Sequence, residues 1–257
     1  MSNAATISNI EEALQELGIT DHTLKAEEKL ALDEQGYVIL PGLIDRTWLH
    51  QLRDAFEQVD EQQRAEAGYQ DAQESGTRHL ENLVGKDPAF ERVYTHPKLL
   101  AAVYHVLKRD FRLMQLAGRD PLPGFGQQAL HADWKLQTPT DAYQNQAVNS
   151  LWCLDDFTTE NGPTRIVPES HLLKRQPPKK LSTPASVHPQ QISVIAPAGS
   201  VLIFNGFLWH SGTLNRSKQP RRVLNCFFTA RENLSSSRIA PAVLEQISPA
   251  ARYLLEV

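Results

Sequence analysis

The chain has 257 residues, of which 41% are hydrophobic and 22% are charged, a composition that can bury a full globular core. Its 26 basic and 30 acidic residues give a net charge of −4, without a basic stripe typical of nucleic-acid binding. No apolar run is long enough to span a bilayer, and the N-terminal segment lacks a secretion signal. We therefore expect a cytoplasmic protein with no nucleic-acid or membrane partner, and the composition carries no signal of an oligomeric state.

Apolar residues at three- and four-residue spacing predict helices in the first third of the chain. We expect them at 10–17, 26–32, 48–67 and 97–108, the last with Pro97 near its first turn. The run GYVILPGLI, which precedes the third helix, is rich in β-forming residues and carries the turn signal Pro41-Gly42. The part from 1 to about 108 is thus predicted to be mainly helical.

From about residue 109 the sequence changes to short apolar or alternating runs separated by Pro, Gly, Asn and Asp. The runs predicted to be strands are FRLMQLAGR, QQALHAD, AVNSLWCLDDF, TRIVP, QISVIA, GSVLIFNG and RRVLNCFF. They predict a mostly β fold with flanking helices: a double-stranded β-helix (jelly roll, cupin-like) over about 109–230, packed against the N-terminal helices. We expect one domain over 1–257, with the tail 231–257 returning to helix.

Two further features of this region carry expectations. Cys153 and Cys226 lie far apart, each inside an apolar run, and are interpreted as reduced core residues. The segment 175–191, RQPPKKLSTPASVHPQQ, is predicted to be an exposed loop, which in an enzyme could act as a lid.

The segment QALHADW carries a candidate metal site. Side chains two apart in a strand share a face, so His131 and Asp133 would point into the same space. A third ligand would complete the two-histidine, one-carboxylate set that binds iron(II) and leaves positions open. His210, which follows the β-rich run GSVLIFNGFLWH, is the best candidate. His-x-Asp alone is a short motif that often arises by chance.

Arg221 makes it less plausible that the His-x-Asp motif arose by chance. It follows His210 by eleven residues and lies at the head of RRVLNCFF. A guanidinium binds a carboxylate through two parallel hydrogen bonds, which suits the distal end of 2-oxoglutarate. Arg222 is the immediate competitor, but strand alternation would place it on the opposite face.

The ordered pieces LHADW, LWCLDDFTTENGPTRIVPESH and GSVLIFNGFLWHSGTLNRSKQPRRVL resemble the phytanoyl-CoA dioxygenase family of iron(II)- and 2-oxoglutarate-dependent oxygenases. The opening GYVILPGLIDRTWLHQLRDAF is similar to the family's N-terminal strand and helix, so the resemblance covers most of the chain. Glu169 is its least conforming point, since the family commonly has Gly there, and we expect only a turn to be affected.

This resemblance implies that His131, Asp133 and His210 bind iron(II) and that Arg221 anchors the C5 carboxylate of 2-oxoglutarate. It implies O2 as the second cosubstrate and hydroxylation of a C–H bond in a small organic molecule, with release of succinate and CO2. Halogenating relatives lack the carboxylate ligand, so the presence of Asp133 favours hydroxylation.

Four other side chains are candidates for binding the cosubstrate. Gln127 shares the strand parity of His131, although an exposed glutamine is an equal interpretation. Gln115 and Arg119 share a face of FRLMQLAGR, and one of them could meet the C1 carboxylate; Arg119 could instead pair with Asp120. Asn225 lies four residues after Arg221 and could support it, or be a buried structural amide.

Trp152, His171 and His79 complete the candidates. Trp152 has two interpretations, a core aromatic or a bulky residue near the cosubstrate. His171 and His79 could line a substrate pocket, although such histidines are more often structural or exposed.

Two other functions are compatible with these residues. A non-catalytic relative could keep the fold, and a cupin-like metal enzyme of another reaction class could use a His-Asp-His site for zinc or manganese. The intact metal and arginine positions argue against the first alternative, and the second gives Arg221 no role.

Overall fold

The computed structural model describes residues 7–67, 76–135, 144–233, 239 and 241–255. Its helices are α1 (Ile10–Glu16), α2 (Ala26–Glu34), α3 (Arg46–Ala67), α4 (Glu91–Tyr94), α5 (Pro97–Leu107), α6 (Pro241–Leu244) and α7 (Pro249–Leu255). Its strands are β1 (Tyr37–Leu40), β2 (Thr77–Leu80), β3 (Phe111–Pro121), β4 (Ala147–Cys153), β5 (Thr164–Val167), β6 (Ile192–Ser193), β7 (Val201–Asn205), β8 (Trp209–Gly212) and β9 (Val223–Ala230). The helices predicted near the N-terminus are present with slightly shifted ends. Within these ranges, no helix has both the length and the apolar character needed to cross a bilayer.

The described strands form two antiparallel sheets. The larger has the order β1-β7-β4-β9-β3-β2, and the smaller has the order β6-β5-β8. The N-terminal helices and α7 contribute to an apolar core with the larger sheet, and a second core contains residues of both sheets. This arrangement confirms the predicted fold, a jelly roll with flanking helices.

Strand alternation divides the side chains of the larger sheet between these two cores. Trp152 in β4 and Cys226 in β9 belong to the core shared with the helices. Cys153 in β4 and Leu202 in β7 belong to the core shared with the smaller sheet. Both cysteines are free and buried, as predicted, and they belong to different cores.

Several strand predictions were wrong in detail. QQALHAD is not a strand: among its residues only His131 forms a bridge, with His210. Its neighbourhood bonds irregularly to the β8 region, through Gln128 N to Gly212 O and Trp134 N to Gly206 O, and so forms no continuous ladder. Strands β2 and β8 were not predicted, and β9 begins two residues after Arg221.

Glu169 lies in the turn after β5 with a φ of 64°, in the left-handed region. A residue with a Cβ atom is disfavoured there, and glycine is not. Its N–H donates to the carbonyl of Gln35 at 3.0 Å, which fixes the turn on the segment before β1.

Candidate metal centre and adjoining cavity

Two histidines face each other across a single β-bridge. His131 N donates to His210 O at 3.0 Å, and His210 N donates to His131 O at 2.8 Å. Their ring centroids are 4.5 Å apart. Each Nδ1 lies 2.9 Å from the carbonyl oxygen two residues earlier, of Ala129 or Leu208. A carbonyl only accepts, so each neutral ring carries its proton on Nδ1 and presents the lone pair of Nε2 to the site.

Asp133 completes the cluster. Its Oδ1 lies 3.9 Å from His131 Nε2 and 3.5 Å from His210 Nε2. Its Oδ2 accepts a hydrogen bond from Asn149 Nδ2 at 2.8 Å, which leaves Oδ1 free for a metal. One ligand atom from each of the three side chains lies within 4.8 Å of the others. Two imidazole nitrogens and one carboxylate oxygen form the donor set that suits iron(II) with open positions.

Burial also favours the neutral form of His131. Burial, together with the neighbouring His210, lowers the pKa of His131 to about 4. Neutral imidazole is the form that binds a metal, so the ring is ready to do so at neutral pH.

The backbone around Asp133 is held by the predicted loop 175–191. Gln176 Nε2 donates to Ala132 O at 3.0 Å and to Trp134 O at 2.8 Å, and Gln176 Oε1 accepts from Ala132 N at 3.2 Å. The indole N–H of Trp209 donates to Arg175 O at 2.7 Å. The first part of this loop is therefore attached to the metal-binding segment, while much of the remainder is exposed.

A cavity of about 380 Å³ adjoins the cluster, within the size range of small-molecule sites. The three candidate ligands line it, together with a set of mostly polar side chains: Thr77, His79, Gln115, Arg119, Gln127, Gln128, Asn149, Thr164, Arg221 and Asn225. Asp133 is the one acidic side chain among the described lining residues.

Arg221 presents a buried guanidinium to this cavity and is only 5% exposed. Its Nε has no hydrogen-bond partner among the described residues, and its Cζ lies 5.1 Å from the centre of the Phe157 ring. Its backbone N–H donates to Asp120 Oδ1 at 2.8 Å. Burial lowers the pKa of Arg221 to about 10, so the group is still charged at neutral pH. A buried, incompletely bonded cation of this kind fits an anionic ligand.

Arg222 is differently placed and does not line the cavity. Its Nε and Nη2 each lie 2.9 Å from a carboxylate oxygen of Asp155, and its Nη1 lies 2.9 Å from Glu57 Oε1. Both arginines therefore follow the expectation that they point in different directions, and Arg222 has its carboxylate partners within the protein.

The weaker candidates Gln115, Arg119, Gln127, Asn225 and His79 all line the cavity. Arg119 Nε lies 3.2 Å from His79 Nε2, so Arg119 bonds to this histidine and not to Asp120. Asn225 Oδ1 is buried with no partner among the described residues.

Trp152 does not reach the cavity, and its interpretation as a cosubstrate neighbour was wrong. Its side chain is fully buried, 5.5 Å from the ring of Trp48 and 5.6 Å from that of His96. Its indole N–H donates to Ser150 Oγ at 3.0 Å. The neighbouring residues Asn149 and Leu151 face the cavity, so alternation turns Trp152 towards the helices.

His171 is also absent from the cavity lining, and its interpretation as a pocket residue was wrong. It is 4% exposed, and its Nε2 lies 3.1 Å from the carbonyl oxygen of Asp33. A Cβ atom on Gly36 would lie 2.4 Å from its Nδ1, so the ring packs directly on that glycine. Its role is structural.

Sequence reasoning missed Asn149, Gln128 and Thr164 in the lining. Asn149 is a polar residue within the buried strand β4, and that contrast was an available signal. Alternation in a predicted strand favoured Gln127 over its neighbour Gln128. The structure has no strand at these residues, so that alternation does not apply.

Comparison with known proteins agrees with this geometry. A family model for phytanoyl-CoA dioxygenase matches residues 32–223. Dioxygenase trt7 of Aspergillus terreus is 29% identical over 70% of this chain, which spans 64% of that protein's length. Dioxygenase af480 of Aspergillus fumigatus is 25% identical over 92% of this chain and 79% of that protein. By its family, the chain is thus a non-haem iron(II)- and 2-oxoglutarate-dependent oxygenase. It belongs to the phytanoyl-CoA dioxygenase family.

A solved structure supports the fold independently. HygX from Streptomyces hygroscopicus, with nickel, 2-oxoglutarate and hygromycin B bound, has a TM-score of 0.69 at 20% identity. The match covers 84% of this chain and 90% of that chain.

Proposed function

We propose that this oxygenase hydroxylates a C–H bond of a small organic molecule, with His131, Asp133 and His210 as its iron ligands. Arg221 binds the C5 carboxylate of 2-oxoglutarate. The observation that carries this proposal is that a buried guanidinium with an unbonded Nε shares one cavity with three clustered metal-binding side chains.

Iron(II) and 2-oxoglutarate, when bound, supply O2 activation, with succinate and CO2 as products. The protein's own residues orient the side chains that would bind the metal. The two histidines offer Nε2 because their Nδ1 protons are engaged by backbone carbonyls. Asn149 directs one carboxylate oxygen of Asp133 away from the metal and leaves the other to bind it. Retention of this carboxylate favours hydroxylation over halogenation.

The cavity size and its polar lining support a small molecule as the substrate. HygX, which has the same fold, was solved with the small molecule hygromycin B bound.

The test is substrate-stimulated succinate release from a metabolite panel, followed by mass spectrometry of the product. Iron(II)-loaded protein should release succinate with O2 and not without it, and the product should gain one oxygen atom. Turnover of a substrate in the absence of O2 would instead indicate a metal enzyme of another reaction class. A chlorinated product with chloride present would overturn the assignment of Asp133 as a ligand.

A further inference from the structure

The cavity contains a second cation, Arg119, whose charge has no carboxylate partner among the described residues. Its Nε bonds to His79 Nε2 at 3.2 Å. His79 Nε2 accepts this hydrogen bond, so it offers Arg119 no negative charge. The nearby carboxylate of Asp120 is already bonded to Arg78 and to the backbone N–H of Arg221. The Nη1 and Nη2 edge of Arg119 is left for a ligand.

Formal charges show why a further anion fits. An iron(II) dication cancels a 2-oxoglutarate dianion, and the carboxylate of Asp133 cancels the guanidinium of Arg221. Arg119 then leaves the loaded cavity with one uncompensated positive charge, because no other acidic side chain is among its described lining residues. A charge in a partly enclosed site is costly unless it is paired.

The sheet register separates Arg119 from the metal end of the cavity. Asn149, which holds Asp133, is opposite Phe227 in the ladder, whereas Arg119 is opposite Val223. These two positions of β9 are four residues apart, which is about 13 Å along a strand. The backbone partner of Arg119 on its other side is His79 in β2, at the end of the sheet order. The backbone of Arg119 is therefore well separated along the sheet from Asn149, which holds the candidate metal ligand Asp133.

We propose that Arg119, held by His79, binds a carboxylate of the substrate, and that the substrates of this oxygenase are carboxylate-bearing small molecules. This inference rests on the proposed function and assigns Arg119 to the substrate and not to 2-oxoglutarate. The free edge of the guanidinium offers two parallel N–H donors, which match the two oxygens of a carboxylate. A neutral amide in the same position would leave the charge unpaired.

The first experiment measures binding without turnover. Protein loaded with nickel(II) and 2-oxoglutarate is titrated calorimetrically with a panel of carboxylic acids, each paired with its own carboxamide. We expect at least one acid to bind about tenfold or more tightly than its amide, and this preference to be lost in Arg119→Gln. Arg216→Gln, which alters an exposed arginine outside the cavity, is the matched control. If no acid binds better than its amide, the proposal is overturned.

The second experiment separates substrate from cosubstrate. In Arg119→Gln the Kd for 2-oxoglutarate should stay within about threefold of wild type, while KM for the best acid rises roughly tenfold to a hundredfold. Arg119→Lys should recover only part of that loss, because an ammonium lacks the fork geometry. A large loss of 2-oxoglutarate affinity would assign Arg119 to the cosubstrate and overturn the inference. Absence of O2-dependent succinate release in wild type would contradict the proposed function instead, and the acid-over-amide binding preference would still be measurable.

Discussion

His131 and His210 are paired by two backbone hydrogen bonds, so the positions of both imidazoles are set by main-chain atoms. Replacing either ring does not remove the bonds that hold the two segments together. Metal binding and folding are therefore separable at this site.

This separation leads to the first prediction. His131→Ala, Asp133→Ala and His210→Ala should each lose stoichiometric iron(II) binding and succinate release, because two ligands remain where three are needed. Circular dichroism should show a folded chain in each case. His50→Ala, which alters an exposed histidine, is the control and should bind iron normally. Full iron content with normal turnover in His210→Ala would contradict the ligand assignment.

Asn149 provides the second prediction. Its amide orients Asp133, so Asn149→Ala should weaken metal affinity by about tenfold to a hundredfold. The control is Ser150→Ala, since Ser150 Oγ bonds to the carbonyl of Cys226 and the indole of Trp152, away from the metal. Competition with a chelator of known affinity measures both. Equal metal affinities in the two variants would show that Asn149 does not position the ligand.

The third prediction compares neighbouring arginines. Arg221→Ala should weaken 2-oxoglutarate binding by roughly 1.5 to 3 kcal/mol, about one to two orders of magnitude in affinity. Arg221→Lys should not recover it fully. Arg222→Ala should leave the affinity unchanged and lower thermal stability, because it breaks the contacts with Asp155 and Glu57. Calorimetry under nitrogen with saturating iron(II) distinguishes them, and the reverse pattern would transfer the role to Arg222.

A fourth prediction concerns pH and stability in the metal-free protein. Burial lowers the pKa of His96 to about 4, with smaller effects of Arg92 and Lys98, whereas an unfolded histidine has a pKa of about 6.5. Between these values the unfolded chain binds a proton that the folded chain does not. The contribution of His96 is therefore fully present above about pH 6.5 and is lost as pH falls towards about 4.

Urea unfolding at about pH 7 and about pH 5 tests this contribution. His96→Asn keeps a side chain that can cap α5 and removes the titrating ring beside Trp48. The variant should lose less stability between the two pH values than wild type. The difference is below about 1.4 kcal/mol per pH unit, because the ring is partly exposed. An identical pH dependence in both proteins would exclude His96 as a contributor.

Local patterns in the sequence predicted much of the fold and the central site. Arg221 and Arg222 point in different directions, as expected, although both precede β9 and strand alternation is therefore not the reason. The ordered motifs correctly predicted the family. Alternation could not tell which face of β4 borders the cavity, so Trp152 was assigned to the wrong side. That choice depends on the helices packed against β4, which are distant in sequence. Asn149 was missed for a related reason, since its partner Asp133 lies in a segment with no regular strand.

Gln176 bears on how a substrate enters. Its three hydrogen bonds hold the backbone on both sides of Asp133. Swinging this part of the loop away would uncover those main-chain groups and loosen the ligand they support. The entry route is therefore expected away from Gln176, where the exposed Gln115 and Gln127 line the cavity.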